Sequence, residues 1–201
     1  MMFKATDKRL AQLHKALGRL AKPHARYVSC AFFHDDEIKA MIDATADLPF
    51  RPAQKIVGNG VVQDMDVCFP APRISVYDDC ASLLEEGVNH WRYRADYLPQ
   101  DIYLNDFAVQ RYPLNSQGIG IHKDGLRYKM LVFIITLAGS SRLFYTNHRQ
   151  GGKRYAINDT PGRLVILKAP QFKDMADDER ILHGVDRLAG GRLSIGFRHE
   201  A

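Results

Sequence analysis

The chain is short of cysteine and of long apolar runs. Its three cysteines, Cys30, Cys68 and Cys80, are an odd number without CxxC spacing, which gives no sign of a disulfide framework. The N-terminus has no apolar run suited to secretion or to spanning a membrane. No internal repeat or low-complexity tract is present. We therefore expect a reduced, cytoplasmic protein that makes no membrane contact.

Acidic residues are scarce at the N-terminus. Residues 1–27 hold seven Lys or Arg against one acid, Asp7, whereas the rest of the chain holds 21 Lys or Arg against 22 Asp or Glu. The net charge of +5 is therefore concentrated in this arm. Such a pattern suits an anionic partner such as nucleic acid. The alternative is that these cations only form the solvent-exposed face of a helix.

The basic arm has the spacing of an amphipathic helix. After Thr6, a plausible N-cap, leucines recur every three or four residues until Pro23. The opposite side carries the cations Lys8, Lys15, Arg19 and Lys22. If nucleic acid is the partner, we expect this strip to contact its phosphates.

Residues 28–99 are predicted to support the core and to form a flap over the substrate. The pattern predicts a strand over 27–33 and helices over 35–48 and 80–97. Gly and Pro punctuate residues 53–79, so we expect an exposed hairpin or flap there. Its short strands are predicted at 55–57 and 73–77.

Residues 100–201 have the pattern of a β-sandwich. Seven short strands are predicted, at 103–112, 118–124, 129–137, 141–147, 153–157, 162–168 and 192–199. A charged loop over 171–180 interrupts them. We expect an α+β, mainly β fold, a double-stranded β-helix (jelly roll) with the N-terminal helices packed on it. At 201 residues and 46% hydrophobic, the chain is expected to form a single domain.

His122 and Asp124 are the first two candidate metal ligands. They are two residues apart, so in a strand their side chains leave from the same face. The spacing alone is weak evidence, because His34-Asp-Asp36 repeats it. Gly118 and Gly120 share the face of His122, where they would leave room for a ligand.

His183 is the candidate third ligand. It follows the apolar pair Ile181-Leu182 and precedes Gly184. Two imidazoles and one carboxylate on one side of Fe(II) leave three positions for a bidentate 2-oxo acid and O2. The sequence therefore predicts an iron centre.

The last predicted strand has one polar face and one apolar face. The polar face carries Arg192, Ser194, Gly196 and Arg198, and the apolar face carries Leu193, Ile195 and Phe197. Two arginines on an inward face require a buried anion, and a guanidinium binds a carboxylate such as that of 2-oxoglutarate in a bidentate manner. The alternative is that they pair with structural acids such as Asp186.

With these residues, the C-terminal half resembles the AlkB family of Fe(II)/2-oxoglutarate-dependent dioxygenases. The resemblance covers roughly residues 70–200. It consists of the ordered set Pro72-Arg-Ile-Ser-Val-Tyr77, Asn105-Asp-Phe-Ala-Val-Gln-Arg-Tyr112, His122-Lys-Asp124, His183-Gly, and Arg192 and Arg198 with five residues between them.

The resemblance implies a role for each matching residue. Iron would be bound by His122, Asp124 and His183. The 2-oxoglutarate co-substrate would be bound by Arg192 at its distal carboxylate, by Arg198 near its metal-bound end, and by Gln110, Tyr112 and Ser194. The substrate pocket would be lined by Tyr77, Arg73 and Leu126. Leu126 stands where nucleic-acid repair members usually carry a second acid.

The implied activity is hydroxylation of a C–H bond, with O2 as the second co-substrate. On an N-methylated base, hydroxylation releases formaldehyde and so demethylates the nucleic acid. Two alternatives remain. One is a hydroxylase of a small metabolite, lipid or peptide on the same scaffold, and the other is a jelly-roll module that binds without turnover. We expect a monomer in each case.

Overall fold

The computed structural model of the protein describes residues 3–173 and 175–201. The first two residues of the predicted basic arm, and residue 174 of the predicted 171–180 loop, lie outside the described residues. The helices are α1 (Asp7–Leu20), α2 (Asp35–Asp43) and α3 (Ser75–Ala95), with a 3-10 turn at Asp177–Glu179. None of the described helices has the length and apolar character needed to cross a membrane.

Thirteen strands are present in the described residues. The first five are β1 (Tyr27–Ala31), β2 (Arg51–Pro52), β3 (Ile56–Val57), β4 (Val61–Asp64) and β5 (Asp66–Cys68). The remaining eight are β6 (Asp106–Tyr112), β7 (Gly118–His122), β8 (Tyr128–Gly139), β9 (Arg142–Thr146), β10 (Tyr155–Ala156), β11 (Arg163–Lys168), β12 (Leu182–Asp186) and β13 (Arg192–Glu200).

The strands form two sheets, and every strand pair in the described residues is antiparallel. One sheet has seven strands in the order β1-β11-β8-β13-β6-β5-β2, and the other has six in the order β10-β9-β12-β7-β4-β3. Strand β13 lies between β8 and β6 in the seven-stranded sheet. This arrangement confirms the predicted jelly roll, mainly β with helices added.

Alternation along the strands gives the seven-stranded sheet two apolar faces. Leu131, Phe133 and Ile135 of β8 pack in one cluster with the buried faces of the three helices. Val132, which stands between Leu131 and Phe133 and points to the opposite face, packs in a second cluster with Ile119 and other residues of the six-stranded sheet. The helices therefore cover the outer face of the larger sheet, and the smaller sheet covers its inner face.

Helix α1 has the predicted boundaries and packs on the outer side. The Thr6 hydroxyl accepts a hydrogen bond from the Arg9 backbone N–H at 3.3 Å, which caps the helix. Arg9 is itself buried and donates to both carboxylate oxygens of Glu37, at 2.5 and 2.6 Å, joining α1 to α2. The cations Lys8, Lys15, Arg19 and Lys22 are exposed, as predicted.

Two local predictions in the N-terminal half were wrong. Residues 73–77 do not form a strand, because helix α3 begins at Ser75. The Ile-Ser-Val-Tyr run suits a strand locally, but Tyr77 continues the helical spacing of Cys80, Ala81 and Leu84, and all four are buried together. Helix α2 ends at Asp43 rather than near residue 48. The predicted hairpin is present as β3 paired with β4.

Gly118 at the start of β7 is a sensitive point of the fold. Its φ is +82°, and an added Cβ would lie 1.9 Å from the Val185 carbonyl oxygen of β12. Gly118→Ala should therefore destabilise the protein by about 2–5 kcal/mol, measured by urea unfolding. Gly60 is a matched control, because its φ is +84° but an added Cβ meets nothing within 4 Å. Equal losses in both variants would show that backbone conformation, and not the Val185 contact, sets the cost.

Candidate metal site and cleft

The three predicted metal ligands lie together at the end of the six-stranded sheet. His122, the last residue of β7, is the direct cross-strand partner of His183 in β12, and their ring centroids are 4.3 Å apart. Asp124 follows β7, and its Oδ2 lies 3.7 Å from His183 Nε2. One ligand atom from each of the three residues falls within 4.8 Å of the others.

Backbone carbonyls orient both imidazoles. His122 Nδ1 lies 2.9 Å from the Gly120 carbonyl oxygen, and His183 Nδ1 lies 3.2 Å from the Ile181 carbonyl oxygen. A carbonyl oxygen can only accept, so each Nδ1 carries the proton and donates it. The Nε2 lone pairs are then free to bind a metal, as in metal sites in which the second nitrogen holds the ring in place.

The electrostatics of His122 and Asp124 favour the protonation states that a metal requires. Burial, and next the charge of His183, lower the pKa of His122 to about 4, so the ring is neutral at pH 7. Burial alone would raise the pKa of Asp124, but the two histidines and Arg198 lower it overall, and the carboxyl is ionised. Two imidazoles and one carboxylate fit Fe(II) and related divalent ions.

A cleft of about 690 Å³ opens beside the three ligands. Its walls come from both sheets and from the β3–β4 hairpin, because Gln110 and Arg198 belong to the larger sheet and Ile119 to the smaller one. Arg198 donates from Nη1 to Asp106 at 2.9 Å. Cations are prominent in the lining, where the described residues include Lys123, Arg127 and Arg149.

Two buried polar atoms near the cleft have no hydrogen-bond partner among the described residues. They are the Tyr112 hydroxyl and Arg198 Nε. Burial raises the pKa of Tyr112 to about 12 against the opposing charges of Arg192 and Arg198, so its hydroxyl keeps its proton. Buried donors without acceptors are costly. An anionic co-substrate such as 2-oxoglutarate would satisfy both, and these residues therefore fit it.

Arg192, which was expected to bind 2-oxoglutarate, already has partners within the protein. Its Nη1 forms a buried ion pair with Asp159 and donates to Ser141 Oγ at 3.0 Å, and its Nε donates to Ser194 Oγ at 3.3 Å. Asp159 also accepts from Thr136 Oγ1 at 2.8 Å. A carboxylate of the protein therefore already contacts the arginine that was expected to bind the distal carboxylate of 2-oxoglutarate. The suggested acid Asp186 pairs instead with Arg142 and Arg154.

The residues predicted to bind the substrate are separated. Leu126 is half-exposed and lines the cleft. Tyr77 does not line the cleft, because its side chain is fully buried within the core beneath α3. Arg73 pairs with Asp78 and donates to the Leu104 carbonyl at 3.1 Å, and it is not among the residues that line the cleft.

The interpretation of the strand glycines also changes. Gly118 was expected to leave room for a ligand, but its missing side chain makes room for the backbone of β12 at Val185. The sequence reasoning did not identify Asp159 or the cations Lys123 and Arg149. The basic run 148–154 was a possible signal for Arg149, whereas Asp159 lies in a turn-forming segment and gave none.

Comparison with known proteins identifies relatives at the level of the fold. No protein-family model matches the chain, and no curated protein matches it in sequence. Among solved structures, an oxidoreductase of the 2OG-Fe(II) oxygenase family from Burkholderia pseudomallei is 14% identical, with a TM-score of 0.62 over 98% of this chain and 93% of that one.

Two further solved structures are similar to this chain in fold. A prolyl hydroxylase from Trichoplax adhaerens, solved with a peptide fragment of hypoxia inducible factor, is 12% identical, with a TM-score of 0.65 over 96% of this chain and 90% of that one. OsALKBH1 is 16% identical, with a TM-score of 0.61 over 87% and 96%. The chain therefore has the jelly-roll fold of the 2-oxoglutarate/Fe(II) oxygenases, with a His-Asp-His cluster in the cleft between its sheets.

Proposed function

We propose that the protein is an Fe(II)- and 2-oxoglutarate-dependent oxygenase that hydroxylates a C–H bond of a substrate bound in the cleft. The observation that carries this proposal is the convergence of His122, Asp124 and His183, with one ligand atom from each within 4.8 Å of the others. Fe(II), together with O2 and 2-oxoglutarate, supplies the oxidising power, and the 2-oxoglutarate leaves as succinate and CO2.

The backbone and side-chain groups around the metal ligands have separate tasks. The carbonyls of Gly120 and Ile181 fix the ring orientation of the two histidines. Arg198, which favours the ionised form of Asp124, offers its unpartnered Nε to the metal-bound end of the co-substrate. The Tyr112 hydroxyl and the Gln110 amide, from strand β6, donate to the same molecule.

We assign the distal carboxylate of 2-oxoglutarate to Arg192, with Ser194 supporting the guanidinium. Arg192 has five N–H donors in a planar fork. Its Nη1 donates to Asp159 and Ser141, and its Nε donates to Ser194. A second carboxylate would therefore share the arginine with Asp159. Because the two carboxylates would share Arg192, replacing Asp159 tests the assignment directly.

For the substrate, we propose oxidative demethylation of alkylated nucleic acid as the first candidate. It is supported by the resemblance of the motif set to the AlkB family, by the fold-level likeness to OsALKBH1, and by the cations Lys123 and Arg149 in the cleft lining. Leu126 and the buried Tyr77 do not contribute the acid and the exposed aromatic ring that base recognition would use.

Hydroxylation of a peptide is the second candidate. The Trichoplax adhaerens prolyl hydroxylase that binds a peptide fragment has a TM-score of 0.65 to this chain. A peptide hydroxylase needs no stacking aromatic for a base, so the burial of Tyr77 is neutral for this candidate. The two candidates share the metal site and differ in the product that is released.

One assay separates the candidates. The protein with Fe(II), 2-oxoglutarate and O2 should form succinate, and this formation should increase when the correct substrate is added. Methylated oligonucleotides should release formaldehyde if demethylation is correct, whereas a peptide library should gain one oxygen atom in mass if peptide hydroxylation is correct. Failure to form succinate under any of these conditions would favour a module that binds without turnover.

A further inference from the structure

A second groove continues from the metal cleft and has no role in the iron chemistry. It has a volume of about 280 Å³ and shares Asn59, Val61 and Arg149 with the cleft. One wall is the turn of the β3–β4 hairpin, and the other is the 149–154 segment. Gly120 and Ile121 of strand β7 lie between these walls. The groove therefore leads away from the metal ligands beside the strand that carries His122.

The charged side chains that line the cleft and the second groove are almost all positive. The described lining residues of the cleft and the groove include the cations Lys123, Arg127, Arg149, Arg154 and Arg198, and the metal ligand Asp124 is their only carboxylate. Three of these arginines are paired with acids that lie outside the lining, namely Glu200, Asp186 and Asp106.

Arg149 and Lys123 differ from these three arginines. In the described part of the chain, neither has a carboxylate within 4.0 Å, although the Lys123 ammonium donates to the Asp178 carbonyl. Both cations line the mouth of the cleft. An anion placed between them would reduce the repulsion between these like charges.

We infer that this second groove, which we call the Arg149 groove (Asn59–Val62, Gly120, Ile121, Arg149–Gly151 and Arg154), binds the backbone phosphates of a nucleic-acid strand. The inference rests on the proposed oxygenase function and specifies its substrate. The target unit occupies the cleft, and the next units of the strand lie in the groove.

The shape and chemistry of the groove favour this ligand. A groove that continues past the cleft suits a chain molecule, because a small metabolite needs only one pocket of about 300–1,000 Å³. Arginine binds phosphate in a bidentate manner. No aromatic ring is present among the described lining residues of the Arg149 groove, so it offers no stacking surface, and it should bind strands without regard to sequence.

Helix α1 is a less direct candidate for the same contact. Its cations are exposed, but the helix packs on α3 and β1, on the outer face of the larger sheet. The cleft lies on the inner side of that sheet. A nucleic-acid strand whose target unit lies near His122 is therefore closer to the Arg149 groove than to α1.

The test compares Arg149→Gln with Arg94→Gln. Arg94 is an exposed arginine on helix α3, away from both cavities, and thus a matched control. The probe is an unmodified single-stranded oligonucleotide, and the protein is loaded with Mn(II) and 2-oxoglutarate. Binding is measured by fluorescence anisotropy over a range of salt concentrations.

Arg149→Gln should weaken binding about fivefold or more and reduce the logarithmic salt slope by about 0.7, the value for one phosphate contact with a single strand. Arg94→Gln should leave both unchanged. Arg154→Gln provides a second groove variant and should act in the same direction as Arg149→Gln. An unchanged slope in both groove variants would overturn the inference.

Two further measurements separate the possible failures. Polyglutamate that binds as tightly as the oligonucleotide, with the same loss in Arg149→Gln, would assign the groove to acidic peptides and overturn the phosphate assignment. Succinate formation by the unaltered protein, without any oligonucleotide, tests the oxygenase proposal separately. Turnover without a salt-sensitive contact at Arg149 would reject the groove alone, whereas absence of succinate both without substrate and with each substrate tried would reject the proposed function.

Discussion

Asp124→Ala is expected to abolish 2-oxoglutarate turnover and to weaken Mn(II) or Ni(II) binding by at least about 100-fold. Loss of a residue that only orients a ligand costs about 10- to 100-fold, and Asp124 is the only anionic member of the candidate triad. Without it, two neutral imidazoles would hold a divalent cation unaided. Isothermal titration calorimetry with Mn(II) measures the affinity, and succinate formation with Fe(II) measures the turnover.

The fold should survive this change. Arg198, which loses a nearby negative charge, keeps its ion pair with Asp106 at 2.9 Å, so no buried arginine is left unpaired. His122→Ala and His183→Ala should behave in the same way in both assays. His34→Ala is the control, since His34 has a His-x-Asp spacing but is exposed at the start of α2. If one of these variants retained near-normal turnover, the residue replaced in it would not be a metal ligand.

Much of the jelly roll and the His122–Asp124 pair could be predicted because their signals are short-range. Apolar alternation marks most strands of the C-terminal half, and the opposite faces of β13 were assigned from the alternation alone. Strand β12 (Leu182–Asp186), which carries His183, was not predicted as a strand. In the structure Ile195 and Phe197 pack on the helix side, whereas Arg192 and Ser194 are buried polar residues. His122 and Asp124 do meet, although β7 ends at His122 and Asp124 lies in the following segment.

Other features depend on contacts that the local sequence does not encode. Tyr77 lies in a segment that suits a strand as well as it continues the helical spacing of α3, and packing in the core decides between the two. Asp159 contacts Arg192 across 33 positions of the chain. Its turn-like surroundings gave no indication of a buried partner, and Asp186 was the acid that the sequence suggested instead. Partner choice between distant charges therefore required the tertiary structure.

Asp159→Asn should destabilise the co-substrate-free protein by about 3–5 kcal/mol, because it leaves Arg192 as a buried charge without its counter-ion. The Arg192 side chain is 1% exposed and that of Asp159 is 8% exposed, so water cannot replace the lost carboxylate. For a chain of this length the loss corresponds to a decrease in Tm on the order of 10 °C. Thermal unfolding with and without denaturant measures it.

The same variant tests whether 2-oxoglutarate reaches Arg192. If its distal carboxylate binds there, it restores the missing negative charge, so 2-oxoglutarate with Mn(II) should raise the Tm of Asp159→Asn more than that of the unaltered protein. Asp186→Asn is the control, because Asp186 pairs with Arg142 and Arg154 outside this site and its variant should show no such extra gain. Equal gains in Asp159→Asn and the unaltered protein would place the distal carboxylate elsewhere, and Arg192 would then be a structural partner of Asp159.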